Sequence, residues 1–220
     1  MKELFCCLLS IMCILITDCG NAKADPAINV AIGATSDSAN SEADIVDDTE
    51  PEFSYDDLKQ TEFWFGSGAG GWRTTMTIQK DGSFEGEYSN SDMGDVGEGY
   101  PHGTAYYCKF GGQLSELTKV DDLTYKAELI DISYENPVGG EDYIDDVRYI
   151  YSDAYGLDEA DTIYFYLPGT KREKLPEECL IWVEQAMYDN NGNSLDQLNF
   201  VCLYNEAEKE AFYSYSLAEN

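Results

Sequence analysis

Asp92, Asp95 and Glu98 stand among glycines in the stretch Asp92-Met93-Gly94-Asp95-Val96-Gly97-Glu98-Gly99, where small residues let carboxylates and carbonyls converge on a hard cation such as calcium. A second acidic loop, with Asp189, Asn191 and Asn193, copies the opening of an EF-hand loop. Ser194 takes the place of its sixth-position glycine and Phe200 that of its closing glutamate, so an Asx-rich helix stop is the simpler reading. His102 is the single histidine, which leaves no Ser-His or Cys-His dyad with local support and no His-rich zinc geometry. The glycine-rich run at residues 66–71 lacks the Gly-Lys-Ser/Thr ending of a phosphate loop and reads as a strand connection. A carboxylate pair for glycoside hydrolysis stays open among 43 acidic side chains, but abundance alone points to no pair. The expectation is a chain that is not an enzyme and uses no cofactor.

Aromatic residues are the other candidates. The chain has 17 tyrosines and 3 tryptophans, flat amphipathic surfaces suited to apolar or glycan ligands. Trp64, Trp72, Tyr149, Tyr151, Tyr164 and Tyr166 are the expected ligand-binding set, the four tyrosines alternating as strand residues do. Core packing and cross-strand pairing are the competing roles for such residues. Outside the leader three cysteines remain, Cys108, Cys179 and Cys202, an odd number that allows at most one disulfide and leaves one thiol. No pair is spaced as a metal clip or a CxxC site, and small buried hydrophobes are their plain reading.

The elements that would position these groups are short strands. Residues 63–65, 72–78, 83–88, 104–111, 123–133, 143–151, 161–167, 198–204 and 211–217 are aromatic and β-branched or alternate, about nine strands in all. Asp81-Gly82 between two of them is a strong hairpin signal. One helix interrupts the series: Pro176 suits its first turn, Glu177 and Glu178 favour its positive end, and Leu180, Val183 and Met187 share a face. Locally spaced strands with one late helix predict an all-β, antiparallel up-and-down barrel with a helix packed near its C-terminus. Such a barrel either fills its interior with side chains or encloses one small ligand.

The N-terminus reads as an export signal. Lys2 precedes an apolar run over residues 4–16, too short to span about 30 Å of hydrocarbon as a helix, so residues 1–19 are expected to be a cleaved leader. Residues 15–21 resemble a bacterial lipobox, with Cys19 as the lipidated position; Asp18 departs from the small residue expected there, and ordinary secretion is the competing outcome. Residues 20–58, rich in Ala, Ser, Asn and acids, are expected to be a flexible tether with a mean reach of about 35 Å. Residues 59–220 form the folded domain. The net charge of −30, from 43 acidic and 13 basic side chains, disfavours nucleic acid and anionic surfaces.

The string Trp64-Phe65-Gly66-Ser67-Gly68-Ala69-Gly70-Gly71-Trp72, the hairpin Ile78-Gln79-Lys80-Asp81-Gly82-Ser83-Phe84-Glu85-Gly86 and the stretch from Ser91 through Tyr100-Pro101 resemble a lipocalin-like domain of secreted proteins and lipoproteins from Gram-positive bacteria. Tyr166-Leu167-Pro168-Gly169-Thr170, Leu175-Pro176-Glu177-Glu178 and Leu203-Tyr204-Asn205 extend the resemblance to roughly residues 60–215. It implies a calycin-type barrel and carries no assigned activity. The expected protein is an extracytoplasmic lipoprotein, held to the membrane by its N-terminal lipid, whose barrel binds a small apolar or carbohydrate ligand. A surface protein-interaction module with a filled barrel is the alternative, and a carboxylate-based hydrolase a further one.

Overall fold

The computed structural model describes residues 52–216. The leader, Cys19 and the tether up to residue 51 lie outside the described residues. The strands are β1 (Thr61–Gly66), β2 (Trp72–Ile78), β3 (Ser83–Asp92), β4 (Thr104–Leu114), β5 (Thr118–Asp121), β6 (Thr124–Tyr134), β7 (Glu141–Ile144), β8 (Val147–Tyr151), β9 (Thr162–Tyr166), β10 (Cys202–Asn205) and β11 (Glu210–Ser216). Eight of them, β1, β2, β3, β4, β6, β9, β10 and β11, pair antiparallel in chain order, and β11 returns to β1, which closes the barrel. This is the expected all-β up-and-down barrel, compatible with a lipocalin-like fold. Among the described residues no helix is long and apolar enough to cross a membrane.

Alternation decides which side chains enter. Phe63 and Phe65 on β1, Met76 and Ile78 on β2, Phe84 and Tyr88 on β3, Cys108 and Phe110 on β4, and Phe165 and Phe212 on β9 and β11 all point inward and are buried. Two reciprocal pairs fit rings to backbone across β3 and β4. Phe84 faces Gly112 and Phe110 faces Gly86. A Cβ on Gly112 would come within 2.5 Å of the Phe84 ring, and one on Gly86 within 2.4 Å of the Phe110 ring. The two glycines therefore make the space that the two rings occupy. The predicted hairpin between β2 and β3 is present: Gly82 sits at φ +81°, and the Asp81 carboxylate accepts from the amide and hydroxyl of Ser83.

The helix α1 (Glu177–Val183) is shorter than the predicted pattern and ends in a 3-10 turn at Glu184–Ala186. Its buried face carries Cys179 and Val183, Met187 is buried just past the 3-10 turn, and Leu180 is only half-buried. These residues lie on the outer side of the wall formed by β9, β10 and β11, against Tyr166, Cys202, Tyr204 and Ala211. That wall is packed on both faces, which is why all four residues of β10 are buried.

Three expectations are corrected. The predicted strand 143–151 is a hairpin, because Asp145 and Asp146 both take positive φ (50° and 65°) and reverse the chain between β7 and β8; Asp tolerates that region better than most residues. The strand expected from residue 198 begins at Cys202. The folded unit starts before residue 59: a 3-10 turn at Tyr55–Leu58 drives Tyr55 and Leu58 into the core, and Asp57, expected to be solvated tether, accepts from the amide and hydroxyl of Ser54. Leu58 is 1 % exposed. Leu58→Ala is expected to cost about 3 kcal/mol, a fall of about 9 °C in Tm by thermal melting; an unchanged melt would return residues 52–58 to the tether.

Candidate functional site

Both ends of the barrel are shut. At the end carrying the β2–β3 turn, the 3-10 turn of residues 55–58 plugs the opening, and the Tyr55 hydroxyl donates to the Ser115 carbonyl at 2.8 Å. At the opposite end the segment 152–160 crosses the mouth with Ala154 and Leu157 buried. Thr74 donates to the carbonyl of Tyr155 at 2.7 Å, and the buried Asn205 amide donates to that of Gly156 at 3.0 Å. Between the plugs the inward aromatic rings touch one another, Phe65 lying 5.1 Å from Phe212 and 5.3 Å from Tyr155 by ring centroids. The interior is a packed core, so recognition has to use the outside.

Of the six aromatic residues expected to bind, Trp72 packs at the mouth against Phe65, Tyr155 and Trp182. Trp64 stands on the outer face of β1, its Nε1 donating to Glu62 at 2.6 Å and its ring under the Arg73 guanidinium at 5.3 Å. Tyr149 and Tyr151 lie on β8, outside the barrel, with the Tyr151 hydroxyl donating to Asp142 at 2.7 Å. Tyr164 and Tyr166 stack on the outer face of β9 with centroids 6.2 Å apart, Tyr166 beneath α1. The six do not share one site.

Two of them, Trp72 and Tyr149, do meet in a groove of about 480 Å³ across β2, β3, β4 and β8. β8 builds its far wall by pairing parallel to β4, residues 148–151 against residues 104–107. Arg73, Ser89, Asn90, Ser91, Tyr106 and Tyr107 complete the lining. Sequence reasoning missed these, although Arg73, Ser89 and Tyr107 alternate with core residues and the strand register sets them in one row. Among the described residues that line the groove none is acidic. Arg73 makes no ion pair among the described residues. Partial burial, then the charge of Glu87, raises Tyr107 above its ordinary value, so its hydroxyl is a neutral donor and acceptor. A neighbouring outer groove of about 590 Å³ is lined by Glu62, Glu85, Glu87, Glu135 and Lys109, the usual surface of this acidic chain.

The expected cation loops are internally satisfied. Asp92 accepts from the amides of Gly94 and Asp95, and Asp95 pairs with Arg148 at 2.5 Å, with the guanidinium stacked over Tyr100. Glu98 is exposed, and among the described residues no three His, Cys, Asp or Glu side chains gather as a metal site. Asp189 accepts from the amides of Asn191 and Asn193, the Asx turn of a helix stop. His102 is exposed, its Nδ1 3.3 Å from the Asp145 carbonyl oxygen. Comparison with family models, curated proteins and solved structures returned no match.

Two carboxylates near the mouth each have a buried oxygen, Asp158 on the crossing segment and Glu210 at the start of β11. Glu210 Oε2 and Asp158 Oδ1 are buried without a hydrogen-bond partner. Burial, then the charges of Glu208 and Asp158, pushes Glu210 up to about 7 from its ordinary 4.5, while Tyr155 pulls the other way. Burial, with Asp153 and Glu159 adding, raises Asp158 as well. A carboxyl raised in the folded state favours folding while protonated, and that contribution is lost as pH rises through about 7. Tm is expected to fall by about 5 °C between acidic and mildly alkaline pH. Glu210→Gln should flatten that slope; a slope unaltered in the variant would place the titration elsewhere.

Proposed function

We propose that this chain is a non-catalytic binding module, exported and tethered at the cell surface through Cys19, which takes a neutral saccharide in the groove between β2, β3, β4 and β8. The observation that carries the reading is a surface hollow free of carboxylates in a chain of net charge −30, walled by Tyr107 and Tyr149, edged by Ser89, Asn90, Ser91 and Arg73, and closed at one end by Trp72, whose ring packs into the barrel mouth. Flat rings match the apolar faces of sugars, while hydroxyl, amide and guanidinium groups match their hydroxyls. A purely apolar ligand would need the enclosed space that the Phe side chains already fill. Support for export and tethering comes from the leader, the lipobox-like residues 15–21 and the resemblance to a lipocalin-like lipoprotein domain.

One observation favours a second reading, a protein-docking module. Met93, Val96, Val138, Tyr143 and Ile144 are exposed on the β7–β8 hairpin and the loops beside it, among Glu141, Asp142, Asp145 and Asp146. Among the described residues β7 pairs only with β8, so its outer edge is open to another strand. Titration of neutral hexose and N-acetylhexosamine oligomers, followed by amide NMR shifts, separates the two. The saccharide reading expects shifts confined to residues 70–73, 89–91, 105–107 and 149. Tyr149→Ala should weaken binding about tenfold, and Ile144→Asp should leave it unchanged. An absence of groove shifts at about 10 mM sugar overturns it.

A further inference from the structure

We propose that Cys179 and Cys202 close a disulfide that locks α1 onto the outer face of β10. Their sulfur atoms lie 3.3 Å apart, and both residues are fully buried. Tyr166, Val183, Met187, Leu198, Tyr204 and Ala211 pack around them. A disulfide needs its sulfurs at about 2.05 Å, an approach of little more than 1 Å (about one small side-chain rotation) from the observed contact. Cys108 is the unpaired third. It points inward from β4 into the barrel core, while Cys202 points outward from β10 and Cys179 faces it from α1.

The element that gains is the one with least support of its own. Helix α1 has seven residues, too few to be stable alone. From Glu184 to Val201 the chain has one 3-10 turn and isolated bridges at Tyr188–Ser194 and Lys171–Gln197, but no strand. A bond from 179 to 202 spans that whole stretch and restricts it in the unfolded chain. In the folded, reduced chain burial, then the neighbouring Cys179, raises the Cys202 thiol, and both sulfurs are fully buried beyond the reach of an oxidant once α1 has docked. Oxidation therefore belongs to the folding chain. One cysteine thiolate attacks the disulfide of an oxidant, forming a mixed disulfide and releasing one oxidant thiolate. The second cysteine thiolate then attacks the protein sulfur of that mixed disulfide and expels the other oxidant thiolate. Two protons and two electrons leave the cysteine pair, and the oxidant disulfide becomes two thiols.

The full-length chain carrying Cys6→Ser, Cys7→Ser, Cys13→Ser and Cys19→Ser, so that only Cys108, Cys179 and Cys202 remain, refolded with glutathione disulfide as oxidant, unfolded in guanidinium and alkylated without reductant, gives the test by peptide mass mapping. The expected result is a linked Cys179–Cys202 peptide with the alkyl label on Cys108. Three labelled cysteines, or a link that includes Cys108, overturns the proposal. Adding reductant should lower Tm by about 10 °C, a difference that the double variant Cys179→Ala/Cys202→Ala loses and Cys108→Ser keeps. If the double variant does not fold, Cys108→Ser added to the four leader substitutions decides: only Cys179 and Cys202 remain, one bond is available, and oxidised protein must be lighter than reduced by two hydrogens. Equal masses overturn the proposal. Because the oxidant is supplied in the tube, the result does not depend on export or on any sugar.

Discussion

Closing eight antiparallel strands leaves an axial space that one set of side chains can fill. Here Phe63, Phe65, Phe84, Phe110, Phe165 and Phe212 fill it. Six rings in so narrow a space require room elsewhere, and the sequence supplies it by placing Gly86 and Gly112 across from Phe110 and Phe84. Interiors at this density tolerate neither loss nor addition of a few atoms. With the core solid and both ends plugged, the barrel acts as a rigid stave for what is mounted on its outside. Shallow hollows on such a wall keep their shape because the strands beneath them cannot move apart.

The outside is built unevenly. On β9, β10 and β11 the second face is also dry, since α1 and the chain leading to β10 cover it with Cys179, Val183, Met187 and Leu198. On β2, β3 and β4 the second face is wet and is extended by the β7–β8 hairpin instead. Arg148 joins that hairpin to the loop before β4 by pairing with Asp95 and stacking on Tyr100. An acid that sequence reasoning offered to a cation is thus spent on fixing one wall of the groove. Trp182 connects the two regions: it leaves α1 to meet Phe65 and Trp72, so the helix also braces the floor of the groove.

Much of the barrel was legible because a half-buried strand must alternate, and the runs around Phe63, Met76, Phe84, Phe110 and Phe212 do so. Alternation has a blind spot, which explains the misplaced candidates. A period of two says that Tyr164 and Tyr166 share a face, and that Ile163 and Phe165 share the other, but not which face is interior. Both faces of β9 turned out to be covered, and only the helix docking reveals that. The β7–β8 turn was hidden for a different reason. Asp145-Asp146 lacks the glycine that marks most two-residue turns, so residues 143–151 read as one strand. Residues 55–58 were masked by their acids: Asp56 and Asp57 resembled the tether, while the two residues that matter, Tyr55 and Leu58, sit three apart as the turn requires.

Charge placement argues that the groove is a built feature. A chain with 43 acidic side chains and 13 basic ones lowers its self-repulsion by spreading carboxylates over every exposed face. The outer groove beside β6 conforms, with four glutamates and one lysine in its lining. The groove beside β8 crosses the same strands, β2, β3 and β4, and has none. Its positions at 73, 89, 91, 107 and 149 are exposed or half-buried, as Glu85 and Glu87 are on the next rows of the same sheet, yet hold Arg, Ser, Ser, Tyr and Tyr. Folding does not demand that composition, because an exposed outward position on a packed barrel accepts almost any polar residue. Ring faces, hydroxyls, an amide and one guanidinium therefore stand on this face where the neighbouring rows present carboxylates.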